Sequence, residues 1–470
     1  MNRAVDLLII GAGPAGMSAA LRARCLGLSV LVVDDQHAPG GQIWRAIETR
    51  ADTSTGKLLG DEYAAGLPLA QAFRASGAVY EPGTQVWQIE PGWQVYMSRA
   101  QQAECVQAAN VLLATGAQER PAPFPGWTLP GVLTVGAAQI LLKTAREIPQ
   151  NPPWIAGSGP LALLYMVQLL RAGGSIAGWL DTAPADGWRR ALPHVTSARH
   201  AWKDILKGLG WTRELRRAGF PIIRGVTQLR AQGDQRLEHL VYQTADGQSQ
   251  RVAAELLLIH EGVVPSIHMT QALGCEHVWS AAQFCLAPTL DEWGQTSKPG
   301  IFLAGDGAGI GGAHAARTRG DLAALGIAMR AGKLQDDAAR RLAEPMRRRL
   351  ATELSIRPVL DALYPPRAEL FAPTDDTMVC RCEELTAGQI RAAANIGQPG
   401  PNQIKAFTRA GMGPCQGRQC GYTVAHILAA AHGKPVEEIG FYRIRPPLKP
   451  LTLGELASLD SGGDTGSHAA

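Results

Sequence analysis

The chain has 470 residues, 46% apolar and 18% charged, with a formal net charge of +4. That length exceeds one ordinary core and predicts two or three domains, while the small charge and the lack of a long Lys/Arg run exclude a nucleic-acid footprint. The start MNRAVDLLIIGAG carries one cation and a short apolar core before glycine, so it reads as neither signal peptide nor membrane span, nothing else approaches the length of a span, and the cytoplasm is the expected location.

In chain order, the first predicted unit is a strand, turn and helix over Asp6–Arg24. The apolar run Leu7–Ile10 stops at Gly11, and Gly11, Gly13 and Gly16 give the G-x-G-x-x-G spacing of a dinucleotide turn. A pyrophosphate then sits on the helix N-terminus. The second strand, Ser29–Val33, ends on Asp34, where such a fold places an acid for ribose hydroxyls. A strand-end acid that only caps the next turn is the plainer reading. Pro39-Gly40-Gly41-Gln42 is a turn able to pass close to a cofactor, or an ordinary loop. Residues 50–62 read as a surface loop, and Val79–Val95 as a small antiparallel sheet. Ala109–Ala117 is a buried strand ending in Thr115-Gly116, a feature that recurs against the cofactor in two-dinucleotide flavoproteins. Four prolines between Arg120 and Gly131 mark a domain crossing.

A second strand-turn-helix follows at Trp154–Ala172, with Gly157-Ser158-Gly159 and Ala162 in the G-x-G-x-x-A form, and its next strand ends on Asp181. A working NAD(P)H site, another adenine nucleotide and an empty relic all remain open, since the loop after Gly174 offers no cation for a 2′-phosphate. A helical stretch with Trp188, Trp202 and Trp211 leads to strands around 221–230, 237–242 and 256–259. His260 and Glu261 suggest an acid/base pair, although a strand-end histidine satisfied by a neighbouring carboxylate is the commoner arrangement. Gly300–Gly312 is a strand, then Gly305-Asp306, then a glycine turn into a helix over 313–329. It places a carboxylate for a flavin side-chain hydroxyl and a helix dipole facing the ring. Residues 334–362 are charged and helical, prolines at 358, 365, 366 and 373 mark a linker, and disorder is expected from Leu451.

Cys25, Cys105, Cys275 and Cys285 are scattered, without a C-x-x-C pair. Cys380, Cys382, Cys415 and Cys420 form C-x-C-x32-C-x4-C, two close pairs in a metal-site arrangement. Zinc knuckles favour a two-residue gap, which neither pair has; a [2Fe-2S] cluster spans more space and carries negative charge, answered by Arg381, Arg391, Lys405, Arg409 and Arg418. Glycines at 411, 413, 417 and 421 let backbone N–H groups approach the sulfurs. Thr386–Gln389 is a capping box opening one framing helix, and 423–432 supplies another.

Over nearly its whole length the chain resembles the larger FAD-binding subunit of heteromeric bacterial amine dehydrogenases: the A subunits of opine oxidases, and the corresponding subunits of hydroxyproline and proline dehydrogenases and of hydrogen cyanide synthase. The motifs are GAGPAG at Gly11, ATGA at Ala114, AGSGPL at Ala156, HEGVVP at His260, AGDGAGIGG at Ala304, and CRCEE with GMGPCQGRQC, the last resembling bacterioferritin-associated ferredoxin. The resemblance implies an α/β two-dinucleotide-binding-domain flavoprotein, Rossmann-like in the manner of glutathione and thioredoxin reductases, plus a small helical [2Fe-2S] domain. Its domains would be 1–118 with 287–350 for FAD, an inserted Rossmann unit at 119–286, a linker at 351–376, the cluster domain at 377–434 and a tail at 435–470. It assigns FAD to Gly11, Gly13, Gly16, Asp34, Gly41, Gln42, Thr115 and Asp306, and the cluster to Cys380, Cys382, Cys415 and Cys420, with no catalytic base on this chain. Aspartate at 34 departs from the glutamate many relatives carry. Amine oxidation then belongs to a partner flavoprotein subunit resembling glycine oxidase, in some assemblies with FMN at the subunit junction and a third, small subunit, while this chain relays electrons to an acceptor. A self-sufficient NAD(P)H-dependent reductase and a scaffold flavoprotein are the rival readings.

Overall fold

The computed structural model describes residues 3–459. The first domain is built on a parallel sheet ordered 79–82, 30–34, 3–10, 102–113, 301–303. Leu7–Ile10 and Val30–Asp34 are buried along their whole length, as expected of strands covered on both faces. Strand Gln102–Leu113 joins the parallel and antiparallel parts of one seven-stranded sheet. Its first half, mixed in exposure, pairs antiparallel with Gln94–Arg99, and its fully buried end joins the parallel core. Helix Pro14–Cys25 packs against Gly312–Arg330 so closely that a Cβ on Gly320 would lie 2.2 Å from the Ala15 carbonyl oxygen. Only glycine permits that approach, which returns the end of the domain to its beginning.

The second domain is a five-stranded parallel sheet ordered 222–224, 178–181, 154–157, 257–260, 132–134, with an antiparallel meander of Val226–Gln232, His239–Thr244 and Ser249–Ala253. Helices Ala387–Ala394, Pro401–Thr408 and Gly421–His432 form a separate small core around Val379, Ile390, Ile404, Val424 and Leu428. The Thr386–Gln389 capping box is formed.

Three expectations change. Val79–Pro82 is a parallel strand of the main sheet, and the antiparallel meander is 85–90, 94–99 and the start of 102–113. Short-range alternation carries no information on the partner strand. Residues 47–64 contain three short helices instead of a loop, one capped by Thr53. The chain beyond Leu451 is also ordered as far as it is described. Thr452 and Glu455 close a capping box on helix Leu453–Ala457, Ser458 Oγ accepts from Ala103 N–H at 2.8 Å, and Leu448 N–H donates to the Trp87 carbonyl at 2.8 Å. Residues 460–470 of the expected tail lie outside the described residues. Among the described residues no helix is long and apolar enough to cross a membrane.

Candidate flavin and thiol sites

Gly11 has φ +107°, and a Cβ there would stand 2.4 Å from the Ala114 carbonyl oxygen. A Cβ on Gly16 would stand 1.9 Å from the Gly11 carbonyl oxygen. These two glycines serve the protein's own packing. Gly13 differs: its nearest neighbour would be Gly41 Cα at 3.7 Å, so the fold itself tolerates a side chain there. Gly13 also opens helix Pro14–Cys25 with no side-chain cap and no acid in the first turn. The first-turn N–H groups are therefore free to take a phosphate.

Asp34 is buried, and both its oxygens are taken by backbone, Oδ2 by Ala12 N–H and Oδ1 by Gln36 N–H at 2.8 Å. Burial raises its pKa against those two hydrogen bonds. Asp34 thus ties the first glycine turn to the second strand. The neighbouring Asp35, which no sequence pattern singles out, is exposed and holds Lys449 Nζ at 3.1 Å from the returning C-terminal segment.

Gly40 N–H donates to the Ala12 carbonyl at 2.9 Å, which brings the Gly41-Gln42 turn against Gly13. Beneath it lies Lys143, supplied by the second domain. Its Nζ donates to the Gln42 carbonyl and to Gln139 Oε1, each at 3.0 Å, and burial lowers its pKa to about 7, with Arg45 adding repulsion. Nothing in the local pattern of helix Val135–Ala145 distinguishes this lysine from a surface one.

Thr115 Oγ1 donates to the Ser266 carbonyl at 3.4 Å, and a Cβ on Gly307 would lie 3.7 Å from that hydroxyl, so the Ala-Thr-Gly turn faces the Gly305-Asp306 turn. Asp306 Oδ1 accepts from Gly311 and Gly312 N–H at 2.9 Å each, and Arg319 latches the loop through the Gly305 and Gly309 carbonyls. The predicted FAD residues therefore converge from four separate strand ends on one edge of the first sheet.

His260 and Glu261 do not pair with each other. His260 Nδ1 lies 2.8 Å from Glu119 Oε1, and Glu261 Oε1 accepts from Arg367 Nε at 2.6 Å, with side chains at most 3% exposed in the latter pair. The neighbouring carboxylate is Glu119, from the crossing segment. A cleft at the second fingerprint is lined by Gly159, Asp181, Arg216, Arg224 and Tyr364. Its cations come from helix Trp202–Arg217 and strand Ile222–Arg224, which is why the loop after Gly174 shows none.

The four clustered thiols meet as two pairs. Cys380 and Cys420, both fully buried, hydrogen-bond through sulfur, and Cys382 contacts Cys415. The Cys420 thiol and the N–H groups of Gly411, Glu383 and Cys382 draw the Cys380 pKa down to about 6. Among the described residues no three His, Cys, Asp or Glu side chains converge as a site for one ion. The glycines have steric work here. A Cβ on Gly411 or Gly417 would strike the Tyr442 ring at 2.7 or 2.4 Å, and one on Gly413 would strike Cys382 Cβ at 2.3 Å. Tyr442, unmarked in sequence, lies over the buried thiols; burial and Cys420 raise its pKa. Of the expected cations, Lys405 stands 4.8 Å from the Tyr442 ring centre and Arg418 Nε donates to the Cys415 carbonyl at 3.2 Å. Arg391 and Arg409 are instead tied to Asp375 and Glu383. The thiol loop docks on the crossing between the two Rossmann units, where Gln118 Nε2 donates to the Arg418 carbonyl at 3.3 Å and Trp127 Nε1 to the Met378 carbonyl at 2.7 Å.

Two fingerprint turns on two parallel sheets, the first completed by a returning Gly-Asp turn and helix, define a flavoprotein oxidoreductase of the two-dinucleotide fold. The pyridine nucleotide-disulphide oxidoreductase family matches residues 5–320, and the sarcosine oxidase A3 domain matches residues 374–459. The chain is 42% identical over 458 residues to the opine oxidase A subunit of Rhizobium meliloti, covering 97% of this chain and 98% of that one. It is 32% identical to hydrogen cyanide synthase subunit HcnB of Pseudomonas protegens, with 96% and 97% covered. Among solved structures, L-proline dehydrogenase from P. horikoshii superposes with TM-score 0.70 at 21% identity over 97% of this chain and 80% of that one. Thioredoxin reductase from T. acidophilum gives 0.51 at 19% identity, covering 70% and 99%. The chain belongs to the pyridine nucleotide-disulphide oxidoreductase family, in the group of the opine oxidase A subunits.

Proposed function

We propose that this chain is the electron-carrying subunit of a heteromeric amine dehydrogenase, relaying electrons taken from an amine on a partner flavoprotein to an acceptor. The observation that carries it is the contact between the thiol loop and the flavin turn. Gln118 and Arg418 are hydrogen-bonded, each three residues from a site position, Thr115 on one side and Cys415 on the other. Carriers seated at these two sites would be held by the fold itself, without a mobile arm. The names of the relatives, all subunits, support the heteromeric reading.

FAD fits the first domain. Its pyrophosphate would rest on the N-terminus at Gly13, its ribityl chain on the free oxygen of Asp306, and its adenosine ribose beside Asp35, with Asp34 fixing the turn. FAD would supply two-electron chemistry and release electrons singly. Two thiol pairs suit a [2Fe-2S] cluster, which takes two thiolates on each iron, better than one zinc, which gathers four ligands on one ion. The cleft at Asp181 supports an adenine nucleotide in the second domain.

The test is the purified chain itself. Flavin absorption bands, about two irons per chain and a [2Fe-2S] paramagnetic signal on reduction are expected; one zinc per chain and no signal would refute the cluster. Anaerobic NADH or NADPH should leave the flavin oxidised, and rapid bleaching would favour a self-sufficient reductase instead.

A further inference from the structure

Lys143 is a buried amine that no step of the proposed relay uses. It projects from helix Val135–Ala145 of the second domain to the Gly41-Gln42 turn of the first, and it is 4% exposed. Its acceptors are two neutral oxygens, the Gln42 carbonyl and Gln139 Oε1, each at 3.0 Å. Gln139 is held in place, because its Nε2 donates to Gln168 Oε1 at 3.0 Å, and Gln168 Nε2 donates in turn to the Leu59 carbonyl at 3.3 Å. A neutral amine has two N–H groups, and this setting satisfies both. Protonation adds a third donor, for which no acceptor stands within hydrogen-bond reach among the described residues.

The surrounding charges supply no counter-ion. On the turn side Arg45 repels the lysine and is itself bound to Gln36 and Gln42, while Glu48 pairs with Arg74. Arg50 donates to the Thr144 carbonyl. From the other elements packed around the helix, Glu119 is taken by His260 and the Gly136 N–H, Glu62 by Lys207, and Arg171 by Glu214. Asp52, Asp61 and Glu147 face solvent.

We propose that Lys143 is the redox-linked proton site of the flavin seated on this turn, neutral beside the oxidised cofactor and protonated beside the reduced one. The inference rests on FAD occupying the Gly13 edge. Two-electron reduction of a flavin at neutral pH and above takes one proton onto the ring and leaves one negative charge. The electrons come from the amine through the partner's flavin, and a second proton passes from water to Lys143 Nζ, so the added charge is balanced. Burial holds the Lys143 pKa at about 7 while no anion is near. A negative charge nearby favours the ammonium, and so little water lies between that it acts with weak screening.

Potentiometry of the flavin-loaded chain, read at the flavin band, tests this without turnover. Between about pH 7 and 9 the parent should take up two protons per two electrons and Lys143→Met one. Each pH unit should then shift the reduction equilibrium about a hundredfold in the parent and tenfold in the variant, a difference of about 30 mV for a two-electron couple. Lys143→Arg, which keeps the charge without titrating, should also show the one-proton slope, at a higher potential than Lys143→Met. If the variants fold poorly, an indicator dye counts the protons taken up by the parent during anaerobic photoreduction. Equal slopes in parent and Met variant overturn the inference even if their potentials differ, since the lysine would then be charged in both states; one proton per two electrons in the parent overturns it equally. A chain that binds no flavin overturns the FAD reading itself, a failure distinct from equal slopes in a loaded chain.

Discussion

Removing Arg367 should free the segment that straps the thiol domain to the second Rossmann domain. Arg367 Nε donates to Glu261 Oε1 at 2.6 Å and its Nη1 to Glu369 Oε2 at 2.8 Å, in a place where the Arg367 and Glu261 side chains are 3% and 1% exposed. Arg367→Met keeps the volume and leaves the Glu261 carboxylate buried without its cation, a loss of about 3–5 kcal/mol. A chain with several domains does not unfold in one step, so the effect is local. Amide exchange at 257–262 and 367–371 should quicken by about two to four powers of ten. Glu261→Gln in the Arg367→Met background should recover most of the loss, because the fully buried carboxylate is then neutral. An exchange change under about fivefold in the single variant, or no recovery in the double, would refute the reasoning.

The two kinds of glycine in the first turn give a sharper test of cofactor binding. Gly13→Ala should fold normally and lose bound flavin about tenfold or more, whereas Gly16→Ala, whose Cβ would stand 1.9 Å from backbone, should also lose thermal stability; absorbance at the flavin band and a melting curve separate them. The neighbouring acids should also divide their roles. Asp34→Ala orphans the Ala12 and Gln36 N–H groups and should cost about 1–3 kcal/mol, while Asp35→Ala should leave the melting curve unchanged and weaken flavin affinity; identical behaviour of the two would contradict the assignment. Lys143 has a folded pKa of about 7 against an ordinary 10.5. The unfolded chain therefore holds one more proton through that window, so stability should rise from pH 7 towards 10.5 by up to about 1.4 kcal/mol per unit and be least below 7. Urea midpoints of Lys143→Met should lose that slope.

The architecture was legible because both parallel sheets depend on uninterrupted buried strands followed at once by glycine turns, and Leu7–Ile10 and Trp154–Gly157 carry that pattern locally. The fate of Val79–Pro82 was not, since a strand's partner is set by tertiary register. Spacing marked the four cysteines, yet it could not mark Tyr442, which reaches them from a different segment, or Lys143, whose meaning comes only from burial under the Gln42 carbonyl. The acid that ends the second strand was found by position, while its two backbone hydrogen bonds, and the exposure of Asp35 beside it, became visible only in three dimensions.

The proposed relay includes the thiol site, and Cys415→Ser tests it most directly. Cys415 is half-exposed at the rim, so the substitution should spare the fold and the flavin. In the assembled complex, anaerobic amine should still reduce the partner's flavin at the parental rate, while steady turnover with an acceptor falls about a hundredfold or more as the cluster signal is lost. Amine-driven turnover that continues unchanged after loss of the cluster would contradict the relay and leave this chain a scaffold.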